Sequence, residues 1–141
     1  DRPGVAHREA VAGLAGGGAS PARMAVNVAM PQLRDPGFVA MIERTLRRHG
    51  LEGDRLELEI TESIAMDEAR ALRRSLEHLR AIGVRVAIDD FGTGYSSLAQ
   101  LRELPVDALK IDRRFVSGRE EGPDEAFVEC IVGLARRLGL S

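Results

Sequence analysis

Apolar residues recur along this chain with two periods that take turns. Short runs with a period of two stand at Met24–Val28 (MAVNV), Leu56–Ile60 (LELEI), Val84–Asp89 (VRVAID) and Ala108–Ile111 (ALKI). Between them lie stretches with helical spacing at 36–48, 67–82, 96–103 and 124–138. The first of these carries Phe38, Met41, Ile42, Thr45 and Leu46 on one face. Stop signals agree with that division: Arg47-Arg48-His49-Gly50, Gly83, and Arg136-Arg137-Leu138-Gly139 each place a glycine at a helix end, twice behind cations. An earlier helix is expected over 5–15, running into Gly16-Gly17-Gly18. Strict alternation of strand and helix predicts parallel strands covered by helices, an α/β fold.

The strand faces narrow the architecture. One set of alternate residues is strongly apolar (Val26 and Val28, Leu58 and Ile60, Val86 and Ile88, Leu109 and Ile111) and is expected to face the helices. The other set is polar near the strand ends, at Asn27, Glu59, Asp89 and Lys110. Ahead of these stand Ala25, Glu57, Ala87 and Ala108. An open sheet buried on both faces wants bulky apolar residues on both. Small and polar residues on one face fit the inside of a (β/α)₈ TIM-type barrel, whose active sites gather at the C-terminal ends of the strands. Such a barrel takes roughly 200 residues or more. The 141 residues here are therefore expected to be a partial barrel, about the middle four strand–helix units. Both chain ends read as cut, with 1–20 a preceding helix and glycine-rich loop and 21–141 the units that carry the motifs.

Composition excludes several alternatives. Apolar residues make up 44%, enough for a core, and the net charge of −2 gives no bulk attraction to a DNA or RNA polymer or to an acidic membrane. No apolar run is long enough to span a bilayer, so no direct membrane contact by this segment is expected. The segment is placed in the cytoplasm, with anchoring of the parent protein to a membrane through other domains left open. The single cysteine, Cys130, forbids an intrachain disulfide and reads as a small core residue among Val128, Ile131 and Val132.

Chemistry concentrates in 87–98, AIDDFGTGYSSL, where two carboxylates end an apolar run and glycines and serines follow. Asp89 and Asp90 repel each other, so a metal ion, a cation or water must neutralise them. With Asn27 and Glu59 they offer hard oxygen ligands suited to Mg²⁺ or Mn²⁺. A pair of such ions can activate water and stabilise the leaving oxygen of a phosphodiester. Lys110, on the neighbouring strand end, could hold that water or the phosphate. Each residue also has a plainer reading: Asn27 as a turn former, Glu59 as the solvated face of an edge strand, Asp89-Asp90 as a cap for the helix at 96–103. Lys110 inside an apolar strand requires a partner. Asp90-Phe91-Gly92 matches a kinase metal motif, but the glycine-rich and H-R-D loops of a kinase are missing. His7, His49 and His78 share no zinc-ligand spacing, and Arg70, Arg73, Arg74 and Arg80 read as one solvated helix face.

VNVAMPQLRDPGF (26–38), LELEITES (56–63), AIDDFGTGYSSLAQLRELPVDALKID (87–112) and LARRLGL (134–140) together resemble the EAL domain, a family of bacterial phosphodiesterases that hydrolyse cyclic di-GMP to linear pGpG with Mg²⁺ or Mn²⁺ on a (β/α)₈-type barrel. The resemblance covers nearly everything after residue 20. It implies that Asn27, Glu59 and Asp89 ligate one metal ion, that Asp90 ligates a second, and that Lys110, Asp90 and Glu59 form the catalytic group. It implies further that Glu62 steadies the loop Phe91, Gly92, Thr93, Gly94, Tyr95, Ser96 and Ser97. In the family that loop couples metal binding to dimerisation, so a homodimer is implied for the intact domain. A plain surface charge is the competing reading of Glu62.

The chain also departs from the family. The E-A-L signature is absent: REAV at 8–11 imitates it but lies in the expected first helix, and Glu9 reads as a helix surface residue. The later A-E-G-V-E segment is missing, and Ala29 stands where serine is usual. An isolated 1–141 polypeptide is accordingly expected to be inactive, poorly stable or self-associating, with two edge strands unpaired. The second functional class is a degenerate EAL domain that binds cyclic di-GMP or a protein without cutting it. The family ligands present at Asn27, Glu59, Asp89, Asp90 and Lys110 favour the enzyme.

Overall fold

The structure is a computed structural model that describes residues 23–67, 69–94, 97–116 and 123–141. The helix expected over 5–15, with Glu9, lies outside them, as do Tyr95 and Ser96. Strand β1 (Met24–Asn27) is followed by helices α1 (Met30–Arg34) and α2 (Phe38–Arg48) and a 3₁₀ turn at Gly53–Arg55. Then come β2 (Leu56–Thr61), α3 (Glu62–Asp67), α4 (Ala69–Ala81) and β3 (Arg85–Phe91). Helix α5 (Leu98–Glu103), β4 (Ala108–Ile111), α6 (Arg113–Val116) and α7 (Pro123–Leu138) complete the order. All neighbouring strands run parallel, and the sheet order β1-β2-β3-β4 is the chain order. Among the described residues no strand is skipped, so the order shows no switch point of the doubly wound kind there. The arrangement is a barrel wall, as the strand faces predict.

Register assigns the two faces. Val26 stands beside Leu58, and Leu58 beside Val86, while Ile60 stands beside Ile88, which is beside Leu109. These residues join one hydrophobic cluster with Ile42 and Leu46 of α2 and Leu72, Leu76 and Leu79 of α4. Each helix presents the apolar stripe that its spacing predicts. Helix α2 ends as anticipated: Arg47 and Arg48 occupy its last turn, and Gly50 takes the left-handed conformation at φ 63°. Gly53 is required for a different reason, since a Cβ there would lie 2.0 Å from the carbonyl oxygen of Ile82, where the β2 entry crosses the end of α4. At the other side of the sheet, Ser141 N–H donates to Asp107 O (3.0 Å) and Ser141 O accepts from Leu109 N–H (2.9 Å), a parallel-ladder bridge beside β4.

The helix expected over 67–82 is present as α4 (Ala69–Ala81), and helical structure already begins at Glu62, directly after β2. One expectation needs correction. Cys130 is exposed rather than a core residue. The face of α7 that packs inward carries Ile131 and Ala135, and Cys130 is one step of about 100° round from it. Among the described residues no helix is long and apolar enough to cross a membrane.

Candidate active site

The face of the sheet opposite the core carries the polar residues. Asn27, at the end of β1, is the register partner of Glu59. Glu59 in turn stands beside Ala87, and Thr61 beside Asp89, so Asp89 lies one same-face position further along than Glu59. Ala87 is completely buried and Ala108 is its partner on β4, which keeps the floor under these ends small.

The paired aspartates sit in a β-bulge. Ile88 pairs with Leu109 and Phe91 with Ile111, so two residues of β3, Asp89 and Asp90, stand against one residue of β4, Lys110. Asp90 absorbs the extra residue with φ 54°, a left-handed conformation that aspartate tolerates better than most side chains. The bulge solves a placement problem. In a regular strand one of two adjacent residues must point into the core. Here neither aspartate is buried, and Phe91 turns into the core instead. Phe91 is therefore the last residue of β3 and not part of the loop, which begins at Gly92. The Asp pair does not cap α5, whose N-cap position is held by Ser97.

Lys110 has the partners that its position demands. Its ammonium hydrogen-bonds Glu59 and lies 2.9 Å from Glu57 Oε1. The other oxygen of Glu57 is 3.5 Å from Arg85 Nε. Glu57 is only 8% exposed. Burial is the largest influence on Lys110 and pulls its pKa down, yet the hydrogen bonds and charges of Glu59 and Glu57 together hold it above the usual lysine range. Burial likewise pushes the Glu57 carboxyl up, and Lys110 and Arg85 outweigh it, leaving the pKa below the usual carboxylate range. Both groups are charged at neutral pH.

Glu62, the first residue of α3, is 3% exposed, which rules out a plain surface charge. Its Oε2 accepts hydrogen bonds from the backbone N–H groups of Gly92 (3.0 Å), Thr93 (3.1 Å) and Gly94 (3.1 Å). Gly92 has φ 101°, and a Cβ on it would meet the Phe127 ring at 2.8 Å. Thr93 Oγ1 donates to Asp90 O (2.9 Å), tying the loop back to the bulge.

Sequence reasoning missed Glu57 and Arg114 as partners. The signal for Glu57 was its place two residues ahead of Glu59 on the same face. Arg114 is paired with Asp112, whose Oδ1 also accepts the Arg114 N–H (2.8 Å). Those hydrogen bonds hold the Asp112 carboxyl below its usual range, and the charge of Asp90 also reaches Arg114. Arg114 is thus a cation whose main partner is Asp112 and which also feels the charge of Asp90.

Among the described residues no group of three or more His, Cys, Asp and Glu side chains stands together in a metal-binding arrangement. Glu59 is instead turned to Lys110. The donor set nonetheless fits Mg²⁺ or Mn²⁺ in kind: an amide and three carboxylates at the C-terminal ends of adjacent parallel strands.

The family profile of the EAL domain matches residues 7–141. A bifunctional diguanylate cyclase/cyclic di-GMP phosphodiesterase, MucR of Pseudomonas aeruginosa, is 46% identical over 125 residues, covering 88% of this chain and 18% of MucR. The solved MucR phosphodiesterase in complex with cyclic di-GMP superposes with a TM-score of 0.79 at 47% identity, over 84% of this chain and 53% of that one. The EAL domain of Mycobacterium smegmatis DcpA gives a TM-score of 0.85 at 40% identity, over 95% of this chain and 62% of that one. BlrP1 of Klebsiella pneumoniae, solved with manganese and cyclic di-GMP, gives 0.79 at 31% identity, over 94% of this chain and 34% of that one. The chain thus spans under a fifth of MucR and 53–62% of the two more similar solved chains. With the profile matching almost throughout and the barrel wall shared, this chain belongs to the EAL domain family.

Proposed function

We propose that the domain containing this chain hydrolyses cyclic di-GMP to linear pGpG with the help of divalent cations. The observation that supports the reading is the placement of Asn27, Glu59 and the Asp89-Asp90 bulge at the C-terminal ends of three adjacent parallel strands, with Lys110 on the fourth. Membership of the EAL family and likeness to a cyclic di-GMP phosphodiesterase support the substrate. Asn27, Glu59 and Asp89 would hold one Mg²⁺ or Mn²⁺ and Asp90 a second. Bound there, the ions would supply Lewis acidity toward the phosphodiester and the attacking water. Lys110, kept protonated, presents a compact positive charge to the water or to a phosphate oxygen. Hydrolysis adds water across one P–O bond of the ring and leaves a terminal phosphate and a free hydroxyl.

Glu62 in this reading is the anchor of the loop from Gly92, and the intact domain is a homodimer. Sedimentation of the intact domain with Mg²⁺ checks the second point, and a monomer at micromolar concentration contradicts it. The test of the site is Asp89→Asn in the intact domain. Removing one charged ligand is expected to cut divalent-dependent turnover by about 10²-fold or more while cyclic di-GMP still binds. Undiminished turnover removes Asp89 from the ligand set. Tight binding with no turnover by the unmodified domain selects the receptor reading instead.

A further inference from the structure

Lys110 is shared between two carboxylates, and only one of them belongs to the proposed metal set. Glu59 accepts a hydrogen bond from the ammonium, and Glu57 forms an ion pair with it at 2.9 Å. The two glutamates are alternate residues of β2 and point to the same face. They differ in depth and company. Glu57 is the more buried, and it has Arg85, its register neighbour on β3, at 3.5 Å. Glu59 lies nearer the strand end, beside Asn27.

The arrangement poses a conflict. A divalent cation on Glu59 competes with the Lys110 ammonium for the same carboxylate, and two positive charges at that distance repel. Among the described residues Lys110 then has one anion left within ion-pair distance. Glu57 is that group.

Resting on the function proposed above, we propose that Glu57 is a positioning residue: it retains Lys110 against β2 when Glu59 turns to a divalent cation, and so keeps the ammonium from blocking the metal. The charge count supports this division. Glu57, Glu59, Lys110 and Arg85 sum to zero. Once Glu59 is committed to a cation, Arg85, Glu57 and Lys110 are left with one net positive charge. That charge faces the strand ends, where a substrate phosphate would arrive.

Metal affinity tests the proposal without relying on turnover. Mn²⁺ binding to the metal-free intact domain is followed by electron paramagnetic resonance of the free ion. With Glu57→Gln, Lys110 has only Glu59 to hold, and the apparent Mn²⁺ affinity is expected to fall about tenfold. Glu57→Asp, which keeps the carboxylate, is expected to stay within about twofold. The pair Glu57→Met with Arg85→Met removes the second carboxylate at constant net charge and leaves no arginine unpaired, which guards against misfolding and against a mere charge effect. It is expected to show the same loss as Glu57→Gln. Adding Lys110→Met to either variant is expected to restore affinity to within about twofold of Lys110→Met alone. A loss of equal size with and without Lys110, or no loss in the Glu57 variants, overturns the proposal while leaving the phosphodiesterase reading intact. An unmodified domain that binds no Mn²⁺ overturns both.

Discussion

Asp90 and Glu62 show how single residues fix the loop that borders the strand ends. Asp90 takes φ 54°, and the bulge it creates lets two consecutive carboxylates escape the core. Glu62 supplies one buried oxygen to three successive N–H groups, so a segment of glycine and threonine acquires one geometry. Its other oxygen, Oε1, is buried without a hydrogen-bond partner among the described residues. Glu62→Gln keeps the shape but removes the charge that these donors face. It is expected to destabilise the intact domain by about 1–3 kcal/mol in thermal or urea unfolding, and to speed amide exchange at Gly92, Thr93 and Gly94 selectively. Unchanged protection of those amides contradicts the anchoring role. That Glu62 is buried was not legible from composition: E-I-T-E reads equally well as a strand running out into solvent. What decides it is the immediate start of α3 at Glu62, which turns the side chain back under the loop.

At the scale of elements, the strands and long helices follow from periodicity, because each buries one stripe against the same cluster. Leu76 of α4 is fully buried between the sheet and neighbouring helices. Leu76→Ala is expected to cost about 2–5 kcal/mol of stability, measured by denaturant unfolding of the intact domain. A loss under about 1 kcal/mol contradicts that packing. The elements not legible are those too short to show a period. Helix α1 has five residues and α6 has four, and each is set by local hydrogen bonds rather than by an apolar stripe. Gln32 Oε1 accepts the Ala29 N–H at the start of α1, and Asp112 accepts the Arg114 N–H at the start of α6. The bulge also escapes a simple alternation rule, which places Phe91 on the polar face when it lies in the core. The candidate site was legible as a set of strand-end residues, since the faces follow from the period of two. The turn of Lys110 toward Glu57 was not, because it depends on which cross-strand neighbour lies within reach.

On the scale of the whole molecule, the four consecutive parallel strands place one charged face and one apolar face on opposite sides of a single wall. The charged face is stabilised by the Glu57–Lys110–Glu59 cluster, and this gives a pH dependence with a defined sign. The lowered pKa of Glu57 contributes stability that is present above its unfolded value, about 4.3, and is lost as the pH falls through the folded value. The raised pKa of Lys110 contributes stability that is full below its unfolded value, about 10.4, and is lost as the pH rises through the folded value. Stability of the intact domain is therefore expected to be flat between these limits with respect to the cluster. The acid-side loss is expected to shrink in Glu57→Gln, as read from unfolding midpoints against pH. An acid limb of the same size in that variant contradicts the assignment.

The most direct test of the whole account is hydrolysis itself: the intact domain incubated with cyclic di-GMP and Mn²⁺ or Mg²⁺, with products separated by chromatography. Linear pGpG is expected, appearing only with divalent cation and lost in Asp89→Asn and Lys110→Met. Intact cyclic di-GMP after prolonged incubation with either metal, from a domain that is folded and binds the dinucleotide, would contradict the claim that these strand ends form a phosphodiesterase site.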